Sequence, residues 1–435
     1  MKYFGTDGIR GKANEFITPN MSYMLGKSMA LFKDKTDKII ISRDTRVSGE
    51  MIVNNIKKGA LEAGIDVCDI GVYATPILAN ASINHNCIGI MVTASHNPYY
   101  DNGIKIFNQG QKSLPDEEAI IENVIDNNID LSGVTPGKEI VIPSILDEYF
   151  QLFSKFSDYK NLHIGLDLAN GATVNSALKV LPEFVENYML LGAWPDGENI
   201  NQDCGSTHLK NLQNLVYDYN LDLGIAFDGD GDRILCIDDE GEIIDGDLLI
   251  YIFAKYLKEE FMLNNDTVVL SKMSNLGIIK ALKALGIEVV QTEVGDKYIF
   301  QALEEKNAIL GGENSGHVIN KTLLKTGDGV LNAWFLLKIL DHYQVRLSDL
   351  KKEVTYYPDK LINIENIDKN IAKDEEIVAL VENYRKILGN DGKVLVRASG
   401  TEPLLRVSVS AKTEDLVDMI IDDIVDKIKS KGKGE

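Results

Sequence analysis

The sequence predicts an α/β protein of several domains that ends in a small α+β domain. Three observations carry this expectation. From the start to about residue 340, short apolar runs alternate with helix-period segments, the pattern of parallel strands covered on both faces. The chain has 435 residues, too many for one core and enough for about three or four domains. Past residue 358 the order changes to one helix, two strands and a last helix.

The elements follow in order. Lys38-Ile39-Ile40-Ile41-Ser42 reads as a strand, and residues 48–63 as a helix with Ser48 as N-cap and Gly64 as the stop. Strands are expected at 67–70, 88–92, 164–167, 223–227, 234–237, 268–270 and 289–290, with helices between most of them. Residues 60–67 and 281–289 echo each other, either as a repeat or because helix–Gly–strand junctions commonly look alike. Polar, Pro-bearing stretches at 134–137 and 357–359 suggest boundaries. The last domain is a helix at 375–388, strands at 393–397 and 405–410, and a final helix, with residues 429–435 expected to fray.

Hydrophobic content of 44% and charged content of 26% are those of a globular protein. No apolar run reaches the ~18 residues of a membrane span, and residues 1–5 lack a signal-peptide core, so the expected location is cytoplasmic. Cys68, Cys87, Cys204 and Cys236 have no CxxC spacing and read as buried thiols in a reducing compartment. The net charge of −21 argues against nucleic acid as a partner. A small anionic substrate remains allowed, because screening confines distant charges to about 8–10 Å and a local Arg/Lys cluster can act alone.

Several constellations carry chemistry. The strand Ile88-Gly89-Ile90-Met91-Val92 ends in Thr93-Ala94-Ser95-His96-Asn97-Pro98, and strand ends of α/β sheets are where ligands bind. Ser95 is a candidate nucleophile or phosphate carrier and Lys105 a candidate proton carrier; the alternative is a helix-capping serine. In Asp228-Gly229-Asp230-Gly231-Asp232-Arg233, three carboxylates two residues apart share one face if extended, and hard oxygens of this kind suit Mg2+. An EF-hand is excluded, since its sixth position would be Arg233 and its twelfth Asp239; a solvated acidic turn is the bland alternative. Glu313, Asn314, Ser315 and His317, in Gly311-Gly312-Glu313-Asn314-Ser315-Gly316-His317, offer donors and acceptors suited to sugar hydroxyls, or form a plain turn. Arg397-Ala398-Ser399-Gly400-Thr401-Glu402-Pro403-Leu404-Leu405-Arg406 combines open backbone N–H groups, two hydroxyls and two guanidinium groups, a phosphate-loop composition. It is not a Walker A loop, and the chain holds no GxxxxGK[ST] motif. The opening Phe4-Gly5-Thr6-Asp7-Gly8-Ile9-Arg10-Gly11 suggests a loop near an anion, or a structural turn.

These loops, in this order over nearly the whole chain, resemble the α-D-phosphohexomutase (phosphoglucomutase/phosphomannomutase) superfamily. The opening, residues 95–105, and residues 196–201 leading to 204–208 are similar to its glucosamine-phosphate branch. The branch usually carries Gln where this chain has Asn314, Arg at Lys297, and a larger residue at Ala398.

The resemblance implies three consecutive α/β mixed-sheet domains plus a small C-terminal α+β domain around one central cleft. Their ranges are 1–152, with the phosphoserine loop; 153–247, with the metal loop; 248–358, with the sugar loop; and 359–435, with the phosphate loop. It implies interconversion of glucosamine 6-phosphate and glucosamine 1-phosphate through a phosphoserine and a sugar 1,6-bisphosphate, supplying UDP-N-acetylglucosamine synthesis. Action on glucose or mannose phosphates is the alternative. Ser95, Lys105, Arg10 and His96 would be catalytic. Ser95, Asp228, Asp230 and Asp232 would hold one Mg2+ per subunit. Arg233, Glu313, Asn314, Ser315, His317, Arg397, Ser399, Gly400, Thr401 and Arg406 would bind substrate. The sugar bisphosphate would act as activator, the partner is a small phosphosugar with neither nucleic acid nor membrane, and a homodimer is allowed.

Overall fold

A computed structural model describes residues 2–5, 7–34, 36–133, 135–153, 162–185, 187–398 and 404–432. The chain divides into two compact units, Met1–Met273 with Ile287–Lys352, and Ser274–Gly286 with Glu353–Glu435.

The first unit holds three sheets. The strands of the first are β1 (Phe4–Gly5), β2 (Gly8–Lys12), β3 (Lys38–Arg43), β4 (Asp66–Val72), β5 (Ile88–Val92), β6 (Asp101–Asn108) and β7 (Gln111–Lys112). Their order is β1-β2-β6-β5-β3-β4, with β7 on β6. β3 runs parallel to β4 and β5, while β5–β6, β2–β6 and β1–β2 are antiparallel. Apolar runs explain the burial of both faces. Ile39, Ile41, Ile88, Ile90, Val92, Ile104 and Ile106 pack with the helices Pro19–Ser28, Gly49–Glu62 and Pro115–Asn127. Ile40, Met91 and Phe107 face the other way, toward Thr75–Asn84 and Ile145–Phe150.

The second sheet comprises β8 (His163–Asp167), β9 (Asn187–Leu191), β10 (Leu223–Phe227), β11 (Ile234–Ile237) and β12 (Ile243–Ile244), in the order β12-β11-β10-β8-β9. The third comprises β13 (Thr267–Ser271), β14 (Glu288–Thr292), β15 (Leu310–Gly312) and β16 (Val318–Asn320), in the order β14-β13-β15-β16. One arrangement therefore recurs. In each sheet the first strand of the set is flanked by two parallel neighbours, and the outer of these turns back into an antiparallel strand: β4-β3-β5-β6, β9-β8-β10-β11, β14-β13-β15-β16. The echo between residues 60–67 and 281–289 falls on matching junctions, each leading from a helix into the parallel edge strand, β4 or β14. It is a repeat of topology.

In the second unit, β17 (Asp359–Glu365), β18 (Lys393–Ala398) and β19 (Leu404–Ser410) form an antiparallel sheet ordered β17-β19-β18. The helices Glu375–Leu388 and Glu414–Gly432 cover it around Ile377, Val381, Val407, Ile420 and Ile424. The helix Leu276–Ala284 belongs to this unit, where Asn275 Oδ1 accepts from the Tyr357 N–H at 3.1 Å.

Several sequence expectations need correction. The strand–helix alternation alone read as parallel sheets; the sheets are mixed, as the resemblance implies, because each parallel set ends in an antiparallel turn-back. Ser48 stands at the N-cap position, as read, but its hydroxyl makes no capping bond: it has helical dihedrals and accepts from Asn102 Nδ2 at 2.9 Å instead. Residues 429–432 lie in the last helix, which runs to Gly432 with Lys431 paired to Asp374 at 2.7 Å, and residues 433–435 lie outside the described residues. No helix among the described residues is long and apolar enough to cross a membrane.

Two contacts give predictions. The helices Pro19–Ser28 and Gly49–Glu62 approach so closely at Gly26 and Gly59 that an added Cβ would lie 2.0 Å from the Ile56 carbonyl oxygen or 2.1 Å from that of Tyr23. Gly59→Ala gains helix propensity of about 1 kcal/mol but must separate backbones, at about 1–3 kcal/mol. Net destabilisation is expected in denaturant melts, and a more stable variant contradicts the contact. Elsewhere, the Tyr149 hydroxyl donates to both oxygens of Asp328 at 3.1 and 2.9 Å, and Asp328 Oδ1 caps Leu331 N at 3.0 Å. Burial pushes the Asp328 carboxyl up to about 7, against the bonds from Leu331 and Tyr149. A raised folded pKa means stability present below about pH 4 and lost as pH rises through about 7. Asp328→Asn keeps an acceptor and a cap, so that slope should flatten between pH 4 and 7; an unchanged slope refutes the assignment.

Candidate active site

The three recurring sheets place three loops at the same topological position. Residues 93–100 join β5 to β6, residues 228–233 join β10 to β11, and residues 313–317 join β15 to β16. Each loop leaves the carboxyl end of a parallel strand, the edge of an α/β sheet at which ligands collect.

Ser95 is almost wholly buried, with φ of +52°, a conformation disfavoured for residues with a Cβ. Its hydroxyl donates to Asp228 Oδ2 at 2.6 Å and lies 3.2 Å from His96 Nδ1. Burial, then Arg233 and Arg10, lower the His96 pKa to about 4, so its imidazole is neutral at pH 7.

Asp228, Asp230 and Asp232 are buried and bring carboxylate oxygens within 4.8 Å of one another. Glycine permits the turn: Gly231 has φ of +76°, and a Cβ on Gly229 would meet the Ser95 carbonyl oxygen at 2.5 Å. Asp230 Oδ2 accepts from Thr75 Oγ1 at 2.5 Å and from Lys105 Nζ at 2.8 Å; Lys105 also reaches Asp232 Oδ2 at 3.0 Å and Asp7 Oδ2 at 3.3 Å. Burial would lower the Lys105 pKa, but the Asp230, Asp232 and Asp7 charges outweigh it and hold the ammonium charged. Burial, then the Asp232 and Asp230 charges, push Asp228 well above the usual carboxylate range. Asp232 goes the other way: Lys105, His317 and Arg233 overcome its burial and hold it low. Asp230 Oδ1 and Asp232 Oδ1 are buried without a hydrogen-bond partner. Hard oxygens without a hydrogen bond, beside a carboxyl that burial drives toward its neutral form, fit a divalent cation of the Mg2+ type.

A cavity of about 360 Å3 opens beside this cluster, lined by Asp7, Arg10, Asp232, Arg233, Glu313 and His317 among others. Arg10 Nε and Arg233 Nε are buried and unbonded, while Arg10 Nη2 meets Asp7. Glu313 Oε1 accepts from Gly295 N at 2.9 Å. His317 lies between Asp232 (3.7 Å) and Asp296 (3.8 Å); burial lowers its pKa, but its close contact with Asp232, and the charge of Asp296, raise it on balance. Asn314 is exposed and Ser315 half-buried, and neither lines this cavity. Thus Ser95, His96, Lys105, Arg10, Arg233, Glu313 and His317 gather around the carboxylates in one unit.

In the other unit, Arg397 of β18 and Arg406 of β19 are directly opposite in register. Like charges so placed destabilise a sheet unless an anion offsets them. Ser399, Gly400 and Thr401 lie outside the described residues.

Sequence reasoning missed Asp7, Lys112 and Asp296. Lys112 bridges the two carboxylates, and Asp7 is held low by Lys105, Lys112 and Arg10 despite its burial. Asp7 sits inside the glycine-rich opening, a signal that pointed to Arg10 alone; nothing near Lys112 in sequence marks it.

The metal assignment gives a prediction. At about 100 times its Kd, Mg2+ should stabilise the native state by about 2.7 kcal/mol, read as a rise in Tm. Asp230→Asn should show a much smaller rise; equal rises in both proteins contradict the site.

Comparisons agree with this architecture. Residues 1–131, 147–241 and 245–357 match the phosphoglucomutase/phosphomannomutase α/β/α domains I, II and III, and residues 361–427 match the C-terminal domain of the same family. The chain is 40% identical to the phosphoglucosamine mutases of Halalkalibacterium halodurans and Bacillus subtilis, over 99% of this chain and 99% of each relative. Among solved structures, a phosphoglucomutase/phosphomannomutase family protein from Burkholderia thailandensis has a TM-score of 0.80 at 22% identity, covering 99% of this chain and 97% of its own. The Aspergillus fumigatus N-acetylphosphoglucosamine mutase in complex with GlcNAc-6P and magnesium has a TM-score of 0.65 at 16% identity, covering 99% and 96%.

Proposed function

We propose that this chain, which belongs to the phosphoglucosamine mutase family within the phosphoglucomutase/phosphomannomutase superfamily, interconverts glucosamine 6-phosphate and glucosamine 1-phosphate. The product would supply UDP-N-acetylglucosamine synthesis in the cytoplasm. The observation that carries the reading is the Ser95 hydroxyl, held at φ +52° and 2.6 Å from Asp228 in a cluster of three carboxylates. A capping serine has no need of that company.

Asp228, Asp230, Asp232 and a phosphate on Ser95 would hold one Mg2+ per subunit. When bound, the metal neutralises charge on the transferring phosphoryl group. Phosphorylated Ser95 gives its phosphoryl group to the free sugar hydroxyl: the bond from phosphorus to the sugar oxygen forms as the bond to Ser95 Oγ breaks. The hydroxyl proton ends on Ser95 Oγ, carried by Lys105 as general acid/base. The neutral His96 imidazole orients Oγ, and Arg10 and Arg233 steady the phosphoryl oxygens. The sugar 1,6-bisphosphate so formed turns around and returns its other phosphate to Ser95; the same bisphosphate, as activator, charges an unphosphorylated Ser95. Glu313 and His317, with Asn314 and Ser315, read the sugar, and the substrate's ammonium favours a carboxylate such as Glu313. Arg397, Ser399, Gly400, Thr401 and Arg406 grip the phosphate that does not react. The domain ranges 1–152, 153–247, 248–358 and 359–435 and a homodimer belong to the same proposal.

Product analysis with glucosamine, glucose and mannose 6-phosphates, each with Mg2+ and a trace of sugar bisphosphate, tests it. The highest kcat/KM is expected with glucosamine 6-phosphate. Glucose 6-phosphate converted with equal or higher kcat/KM makes this a hexose-phosphate mutase instead.

A further inference from the structure

A charge that the mechanism above does not use lies directly behind Ser95. Arg46 has a side chain with 0% exposure, and so does its partner Asp44. A guanidinium has five N–H donors, and all five are engaged here. Nε donates to Asp44 Oδ2 at 2.9 Å. Nη1 donates to the Asp101 carbonyl at 3.0 Å and to that of Pro98. Nη2 donates to the carbonyls of Ser95 at 2.9 Å and Asn97 at 2.8 Å. Three carbonyls of the loop and one at the start of β6 thus converge on one cation. From the same carboxylate a second chain leads to Ser95: Asp44 Oδ2 accepts from Thr93 Oγ1 at 2.6 Å, and Thr93 Oγ1 accepts from Ser95 N at 2.9 Å. Asn201 Nδ2 adds a bond to the Ser95 carbonyl at 2.9 Å.

We propose that Arg46, with Asp44 and Thr93, is a positioning residue for phosphoryl transfer: it holds the peptide of Ser95 in the left-handed conformation that aims Oγ at Asp228. The reasoning is local. A non-glycine residue in that region relaxes unless its surroundings over-determine it. Ser95 is over-determined at both ends of its peptide, with its N–H on Thr93 and its C=O on Arg46 and Asn201. A flat, forked cation can satisfy four carbonyls around a loop; a lysine ammonium, with three donors on a point, cannot. The buried Ser95 carbonyl in particular needs donors, because it lies against Gly229, where a Cβ would stand 2.5 Å from its oxygen. Arg46 lies 49 residues before Ser95 in sequence, so only the fold brings the clamp to the loop.

The inference rests on the phosphoserine reading, and its test separates the two. Wild type, Arg46→Lys and Thr93→Val are charged with radiolabelled glucose 1,6-bisphosphate, and Ser95 phosphate is counted by intact mass. Turnover of glucosamine 6-phosphate is then expressed per phosphorylated Ser95. Both variants should show kcat per phosphorylated Ser95 lower by roughly 10- to 150-fold, the effect of losing a charge-assisted bond, with KM little changed. Amide hydrogen exchange should speed up at residues 95–101 and nowhere else in the first sheet. A purely structural role lowers the phosphorylated fraction and leaves turnover per phosphorylated Ser95 at the wild-type value; that result overturns the inference. If Arg46→Lys does not fold, Thr93→Val, close in shape to the native residue, decides alone by the same criterion. Wild type that takes no phosphate on Ser95 defeats the underlying reading instead.

Discussion

Asp228, Asp230 and Asp232 lie buried within 4.8 Å of one another, and the hydroxyl of Ser95 is 2.6 Å from the first. Two unit charges 4 Å apart near a protein surface interact by about 4 kcal/mol, and burial strengthens the effect. Three carboxylates cannot all ionise there unaided, and a phosphate on Ser95 would add about −1.5 to −2 more. The surroundings answer this load. Lys105 touches Asp230, Asp232 and Asp7; His317 lies beside Asp232; Arg10 and Arg233 face the same cavity with unbonded Nε groups. The carboxylates also respond unequally, with Asp228 driven toward its neutral form and Asp232 held ionised. An arrangement so loaded with charge favours a cation that can leave its oxygens in place while a phosphate arrives, which is the part assigned to Mg2+.

The sheets exist, in functional terms, to deliver side chains to this point. Each of the three sets ends in a parallel strand that turns back on itself, and each turn carries one part of the proposed site: Ser95 after β5, the carboxylates after β10, Glu313 and His317 after β15. Rigid strands on both sides of a short turn restrict where its side chains can go, as a preorganised site requires. Lys105 shows the economy of the plan. It stands on β6, the strand that the Ser95 turn leads into, so the proposed nucleophile and proton carrier share one hairpin.

Much of this was legible in the sequence. Buried strands such as 88–92 and 223–227 announce themselves as unbroken apolar runs, and the helix at 375–388 has its boundaries written in an acidic start and a glycine stop. The loop residues were legible because small and charged residues interrupt those runs abruptly. β6 was harder to read, since Asn102, Gly103 and Lys105 break its apolar pattern for the sake of the site. Ser48 read as a cap because cap chemistry is local, yet its hydroxyl answers to Asn102, 54 residues away. Lys112 and Asp296 stayed hidden because their partners are distant in sequence and nothing beside them marks a pair; Arg46 pairs with nearby Asp44 but meets the Ser95 loop only through the fold.

The central claim is that Ser95 passes a phosphoryl group to the sugar. The most direct test is a single-turnover rapid quench of enzyme carrying radiolabelled phosphate on Ser95, mixed with unlabelled glucosamine 6-phosphate. The account predicts that label leaves the protein and appears first in sugar bisphosphate, then in glucosamine monophosphate. Label released only as inorganic phosphate, or retained on the protein while product forms, would contradict it.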